Sequence, residues 1–477
     1  MKLNDMKILS EMDMNLIHKT SMEILANTGI MINSRKALEL LEKNGAQVDY
    51  GKKIAKISSS LLEKALKTVP GKFNLYNRDN TGFITIGDGI PKCGAGHNAI
   101  YMITSDSDQR QNARVRDVEN FAIISDYLED IDIVGVPLMP QDIALPATSL
   151  LYAVKALYQN TTKPIFFSTD CNKVNASLLA MMKSVAGKAD ISECPTGISQ
   201  LSPTSPLFWE EGAVDALMHV AAEGVPLNLL PEPMAGLSAP YSVAGLLTIH
   251  NIEVLSGMVI SQLVRPGAPV IYGSSWTTYD MKYIAAIIAS PETDILRIAG
   301  GQMAKYYGMP SHTTAPNSDS NFHDEQNAWE KSISNMCALC AGNDIVMNSG
   351  MFATGLTISH EQLVIDDEIN GIIRRICRGI DVSKRTIDMD SIRSVAHRGD
   401  YMMEDLTLEN LRNDEFREPK ISNVKAFDNW VHDGSPSVVQ NAGKKVQEYL
   451  AKGPKNPLVE KKSMELDHII ETFIENR

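Results

Sequence analysis

From residue 131 onward, apolar and polar positions follow one repeating rhythm. Short β-branched or aromatic runs come first: IDIVGVPLM (131–139), KPIFFS (163–168), PTGISQ (195–200), PLNLL (226–230), PVIYG (269–273), PSHTT (310–314) and DIVMN (344–348). Each is followed by a polar loop and then a longer stretch with helical periodicity, such as ATSLLYAVKALYQN, EEGAVDALMHVAAEG or DILRIAGGQMAKYYG. The short runs read as buried strands and the long ones as helices. An eighth, earlier strand is expected within GAGHNAIYMI (94–103), ahead of a helix beginning near Asp117.

Eight strand–helix units in succession, joined by right-handed crossovers, form either a closed barrel or a large open doubly wound sheet. The unbroken count of eight favours the barrel. A doubly wound dinucleotide fold also needs a glycine-rich phosphate turn, and GAGHNA begins G-x-G without the third glycine. The expected fold class is therefore α/β, a (βα)8 TIM barrel. It spans 81–380, between an N-terminal helical segment (1–80) and a C-terminal helical extension (381–477). The N-terminal segment carries apolar positions at Leu25, Leu38, Leu41 and Leu62, and the extension ends in VVQNAGKKVQEYLA and MELDHIIETFIEN.

Composition narrows the partners. The 477 residues are 44% hydrophobic and 22% charged, as in ordinary globular proteins, and the formal net charge of -13 argues against a nucleic-acid backbone as ligand. The N-terminus has no secretory pattern, and the most apolar stretch, VAGLLTIHNIEVLSGMVISQLV, is interrupted by His250, Asn251 and Glu253, so a cytoplasmic protein is expected. Six irregularly spaced cysteines imply no disulfide framework, and the C-x-x-C of Cys337 and Cys340 lies in an apolar helical run with no second pair to complete a zinc site. No metal site is expected. Helices at both termini leave surfaces on which a homo-oligomer can form.

In a TIM barrel the reacting groups stand at the C-terminal ends of the strands. His97 and Tyr101 follow the first strand region, Glu232 the fifth, Trp276 and Tyr279 the sixth, His312 with Asn317 and Asp319 the seventh, and Asn348 and Phe352 the eighth, with His360 beyond. Ser202, Thr204 and Asp324 read equally well as helix caps. Aromatic rings gathered at one mouth suit a cationic methylammonium group through cation–π attraction, or else simply pad the loops. No zincin, nucleophile-elbow or P-loop motif is present.

The segments PEPMAGLSAPYSVAG (231–245), GSSWTTYDM (273–281), NSDSNFHDEQNAWEK (317–331) and NDIVMNSGMFATGLTISHEQLVIDDEI (343–369) resemble those of the trimethylamine methyltransferase family. The pattern after the fifth strand and the D-x-Q of Asp324 to Gln326 are its most specific parts. The resemblance implies a (βα)8 barrel. Archetypal members carry pyrrolysine, whose position the resemblance sets in the Asp319 to Asp324 loop near Asn321; this chain contains only standard residues. It is thereby similar to the non-pyrrolysine branch, whose members demethylate quaternary amines such as glycine betaine, proline betaine or carnitine.

That likeness implies methyl transfer to the Co(I) centre of a cognate corrinoid protein, or to free cobalamin, with no cofactor held tightly on this chain. Position at the strand ends makes His312, Asp319 and Asn321 the candidate catalytic residues and His97, Tyr101, Trp276, Asn348, Phe352 and His360 the candidate substrate-binding residues, with Trp276, Tyr101 and Phe352 for the cation and His97, His312 and His360 as carboxylate donors or orienters. One departure is DLTLENLR, with Leu406 before Thr407 where family members often carry His-Thr. Two other readings stay open: a barrel lyase or isomerase using His97, His312 and Glu232 for acid–base work, and a non-catalytic betaine-binding barrel.

Overall fold

The structure, a computed structural model, describes residues 3–104, 107–397, 399–413 and 415–476. Eight parallel strands close into a barrel in strict chain order: β1 (Lys92–Ala95), β2 (Ile133–Gly135), β3 (Ile165–Ser168), β4 (Gly197–Leu201), β5 (Leu227–Leu229), β6 (Val270–Ser274), β7 (Ser311–Thr314) and β8 (Ile345–Ser349). β8 pairs back onto β1 with a register shift between Met347 and Ser349. Eight helices alternate with them: α1 (Val115–Tyr127), α2 (Ser149–Asn160), α3 (Asn172–Ala186), α4 (Glu211–Glu223), α5 (Val243–Val264), α6 (Pro291–Tyr307), α7 (Glu325–Cys340) and α8 (His360–Arg378). This is the (βα)8 barrel that the alternating pattern predicts.

The first strand differs from its expected position. It runs over Lys92–Ala95 and stops there, whereas Tyr101–Thr104 belongs to a separate sheet with Ser107–Asn112, Met351–Phe352 and Thr357–Ile358. Gly94 explains β1's poor strand signal, and Gly135 on the neighbouring β2 is confined in the same way. A Cβ on Gly94 would stand 1.8 Å from the Met347 sulfur, and one on Gly135 2.3 Å from the Gly96 carbonyl oxygen, so the barrel interior has no room for side chains there.

The bottom of the barrel is stoppered. A hairpin of Phe73–Tyr76 and Phe83–Ile86 sends the fully buried Leu75 and Ile86 into one cluster with Ile133, Phe166, Ile198, Ile271, Ile345 and Met347. Most of these sit at the N-terminal ends of their strands, and Tyr76 N–H donates to the Pro195 carbonyl just before β4. The first 66 residues add helices Glu11–Asn27, Arg35–Lys43 and Ser59–Leu66, and three short strands that join Phe208–Trp209 in a four-stranded sheet. Helix Val438–Lys452 packs on α8 and helix Glu460–Glu475 on α3.

α5 is long and apolar enough to cross a membrane, contrary to the reading that its polar residues disqualify it, but most of it is enclosed by protein. Its polar residues have internal partners: Asn251 meets Ser21, Tyr272 and Tyr307, and Glu253 accepts from Ser205 and from the Leu207 N–H. The cysteines are free thiols; Cys340 and Cys377 bring their sulfurs to 3.5 Å in the core between α7 and α8.

Candidate active site

Strand alternation decides what faces the barrel interior. On β3 it is Phe166 and Ser168, on β4 Gln200, on β5 Asn228 and, past the strand end, Glu232; on β7 it is His312. Phe166 is a partition. Its ring belongs to the apolar plug below, while above it lie the imidazoles of His97, edge-on at 5.1 Å between centroids, and His312, stacked at 5.4 Å.

Both imidazoles are neutral at physiological pH. Burial pushes the His97 pKa down to about 4, and burial with the neighbouring His97 pushes that of His312 to about 3. The tautomer of His312 follows from its partner. Asn228 Nδ2 donates to Gln200 Oε1 at 3.1 Å and to His312 Nδ1 at 3.3 Å, so Nδ1 accepts and the proton resides on Nε2. That Nε2–H has no partner, nor do the Oδ1 atoms of Asn228 and Asn98. These three unpartnered polar atoms lie above one aromatic floor, on the side of Phe166 that faces the mouth of the barrel.

Carboxylates guard the way in. Glu232 reaches solvent although protein surrounds its carboxyl group, which places it on the wall of a recess rather than on an open surface. That enclosure raises its pKa, a hydrogen bond with Ser275 works in the opposite direction, and the charge of Asp170 raises it further. Asp170 is itself shifted upward by burial. A cation at this point would be attracted to both and would draw Glu232 into its ionised form.

The candidate site residues fall into two groups. His97 and His312 meet in the barrel interior, and Asn348 stands at the end of β8, its Nδ2 donating to Asn317 Oδ1 at 2.9 Å. Asn348 has φ of 126°, a strained backbone of the sort that collects at functional sites.

The others lie elsewhere. Trp276 is fully buried behind β6 against His250, at 4.4 Å, and Gly300, so both faces of the indole are covered by protein. Tyr101 lies on the separate sheet with the Arg110 guanidinium 4.7 Å from its ring centre. Phe352 is enclosed with Ile103 and Ala353, 5.2 Å from the His323 ring. His360 opens α8 and faces the Asp117 carbonyl at 3.3 Å. Asp319 is a loop clamp, accepting from the N–H groups of Ile288 and Ala289 and from the Thr354 hydroxyl. Asn321 is exposed on the β7–α7 loop, and Asp324 caps α7 by accepting from the Asn327 N–H.

Among the described residues, no group of three or more His, Cys, Asp or Glu side chains is arranged to hold a metal ion.

A profile of the trimethylamine methyltransferase (MTTB) family matches residues 1–477. The chain belongs to this family. It is 32% identical to the trimethylamine methyltransferase MttB of Desulfitobacterium hafniense over 97% of this chain and 93% of that protein. It is 29% identical to a glycine betaine methyltransferase from the same species over 98% of this chain and 97% of that protein. Among solved structures, the Methanosarcina barkeri monomethylamine methyltransferase MtmB aligns over 94% of this chain and 96% of its own, at 14% identity and a TM-score of 0.49. The family gives the chain its class: it is a methyltransferase built on a TIM barrel.

Proposed function

We propose that this member of the family demethylates a quaternary amine of the betaine type, passing the methyl group to Co(I) of a corrinoid carried by a partner protein, in the cytoplasm and without pyrrolysine. The observation that carries the reading is the vertical order of groups in the barrel. An unpartnered donor, His312 Nε2–H, lies deep, and the Glu232 carboxylate stands nearer the rim. A betaine fits this order with its carboxylate inward on His312 and its ammonium outward beside Glu232 and Asp170. The methyl groups then face the opening. Neutral His97 and His312 add no positive charge to repel the cation.

The bond chemistry balances without a nucleophile from this chain. A methyl C–N bond breaks, its electron pair stays on nitrogen as the neutral tertiary amine, and the acceptor supplies the pair for the new Co–C bond. The chain's residues hold the cation in line and keep its charge compensated until transfer, a positioning effect. The relative named a glycine betaine methyltransferase supports the substrate class.

The test is the absorbance of Co(I)-cobalamin, held reduced with titanium citrate, on adding protein with glycine betaine, proline betaine, carnitine, choline or trimethylamine. Methyl-Co(III) is expected with a carboxylate-bearing quaternary amine, and Glu232→Gln is expected to slow it at least tenfold. Transfer from trimethylamine alone would overturn the reading.

A further inference from the structure

The lower ends of α7 and α8, away from the mouth of the barrel, carry two cysteines in contact. Cys340 is the last residue of α7, and Cys377 stands one residue before the end of α8. Both are buried free thiols, and their sulfurs are 3.5 Å apart. Ala338, Val346 and Ile373 pack around them. Two sulfurs fall short of the ligand set of a closed metal site, and none of the described residues completes a group of three.

The pair is close to the surface under a cover that can lift. Residues 3–6 lie across it: the Leu3 N–H donates to the Cys377 carbonyl at 3.0 Å and the Met6 N–H to the Cys340 carbonyl at 2.9 Å, with Met6 packed on the surrounding cluster. Lys305 Nζ adds a bond to the Asn4 carbonyl. Just beyond, Gln302 Oε1 accepts from the N–H groups of Ile8 and Leu9, which anchors the chain there. A terminal segment held by a few hydrogen bonds opens far more often than a core helix.

Geometry favours a bond between the two sulfurs. Each cysteine is in the last turn of its helix, where the hydrogen-bond ladder ends, so two turns share the approach from 3.5 Å to the roughly 2.05 Å of a disulfide. The hydrogen bond between the sulfurs pushes the Cys340 pKa down and the Cys377 pKa up, so Cys340 ionises first.

We propose that Cys340 and Cys377 form an oxidisable dithiol, which a small hydroperoxide entering beneath the N-terminal segment closes to a disulfide between α7 and α8. The Cys340 thiolate attacks one peroxide oxygen; the O–O bond breaks, and the other oxygen leaves with the thiol proton as water or an alcohol. The resulting sulfenic acid is attacked by Cys377, the S–S bond forms, and the hydroxyl group leaves with the Cys377 proton as water. The two sulfurs together lose the two electrons that the peroxide gains. The bond ties residues 37 apart in sequence and so restricts the unfolded chain. This inference stands independently of the proposed methyl transfer.

The experiment uses the full chain with Cys171→Ser, which removes the exposed thiol. Folded, reduced protein is treated with hydrogen peroxide, quenched with N-ethylmaleimide and then unfolded; free thiols are counted and unreduced peptides mapped by mass spectrometry. The expected result is the loss of two thiols per chain, a peptide pair joined through Cys340 and Cys377, recovery with dithiothreitol, and a thermal midpoint several degrees above that of the reduced form. Cys377→Ser in the same background should leave a sulfenic acid on Cys340 that dimedone traps. Met6→Ala, which loosens the cover, should speed closure about threefold or more. Retention of both thiols at a peroxide dose that fully oxidises Cys171 in the unsubstituted chain overturns the proposal. So does a bond from either cysteine to Cys93 or Cys337, or a joined pair that forms only once the chain unfolds. An unchanged rate in Met6→Ala overturns entry beneath the N-terminal segment.

Discussion

The two ends of the barrel are built on opposite principles. From Phe166 downward, eight side chains from five strands and a hairpin, Phe166 among them, fill the interior with hydrocarbon and one thioether, none of which needs a hydrogen-bond partner. Above it, His312 Nε2 and the Oδ1 atoms of Asn228 and Asn98 lack partners, at a cost of about 1–3 kcal/mol for each such buried group. The lower half earns stability and the upper half gives some of it up in unpartnered polar atoms. Four measurements bear on that contrast.

The largest effect is expected from acid. His97, His250 and His312 titrate at about 4, 3 and 3 in the folded chain, because burial disfavours their charged forms, against about 6.5 when unfolded. Below pH 6.5 the unfolded chain alone takes up these protons, so stability falls as pH drops. Each site contributes up to about 1.4 kcal/mol per pH unit, hence about 6 kcal/mol at most between pH 6.5 and 5. Urea midpoints across that range measure it, and His312→Phe should make the decline shallower.

Next, Leu75→Ala leaves a cavity in the plug and should cost about 2–5 kcal/mol in urea unfolding, while methyl transfer per folded molecule stays unchanged. Loss of activity in the folded variant would show that the two ends are not separate. Glu253, buried under the β4–α4 loop and away from both ends, sharpens the contrast. Burial raises its pKa to about 7 from 4.5, so stability falls as pH rises through that interval. Glu253→Gln should raise the unfolding free energy at pH 8 by up to about 3 kcal/mol and leave it little changed near pH 4.5. The smallest stability effect is expected at the top. His312→Phe removes an unpartnered donor and should gain about 1 kcal/mol while raising the KM for a betaine much more than for choline, which has no carboxylate.

Seven barrel strands are legible in the sequence because buried parallel strands are near-continuous apolar or β-branched runs. β1 is not, because Lys92-Cys93-Gly94-Ala95 contains no β-branched residue and its glycine answers to Met347 on the neighbouring strand. The three-residue strands near the N-terminus are too short to show alternation.

At the site, proximity to a strand end found His97 and His312, but it could not tell inside from outside. Parity does. Ile271 and Gly273 face inward on β6, so Ser275 follows them into the mouth and Trp276 is turned behind the strand, into the helical layer. The same count from Asn228 carries Glu232 inward, a signal present in the sequence though it marked other residues more strongly. No such count reaches Tyr101, which lies on another sheet, or Asp319, whose carboxylate is committed to backbone N–H groups 30 residues away.

The plugged floor has a kinetic meaning. A tube open at both ends lets one reactant enter as another leaves, whereas a cup works as a stack, in which the first molecule placed is the last removed. If the methyl acceptor arrives on a partner protein that settles over the rim, as proposed, a small molecule must already be seated before it does so, and its remnant must wait until that partner lifts away, because Leu75 and Ile86 close the floor. The order of arrival and departure is then fixed by geometry, whatever the individual affinities.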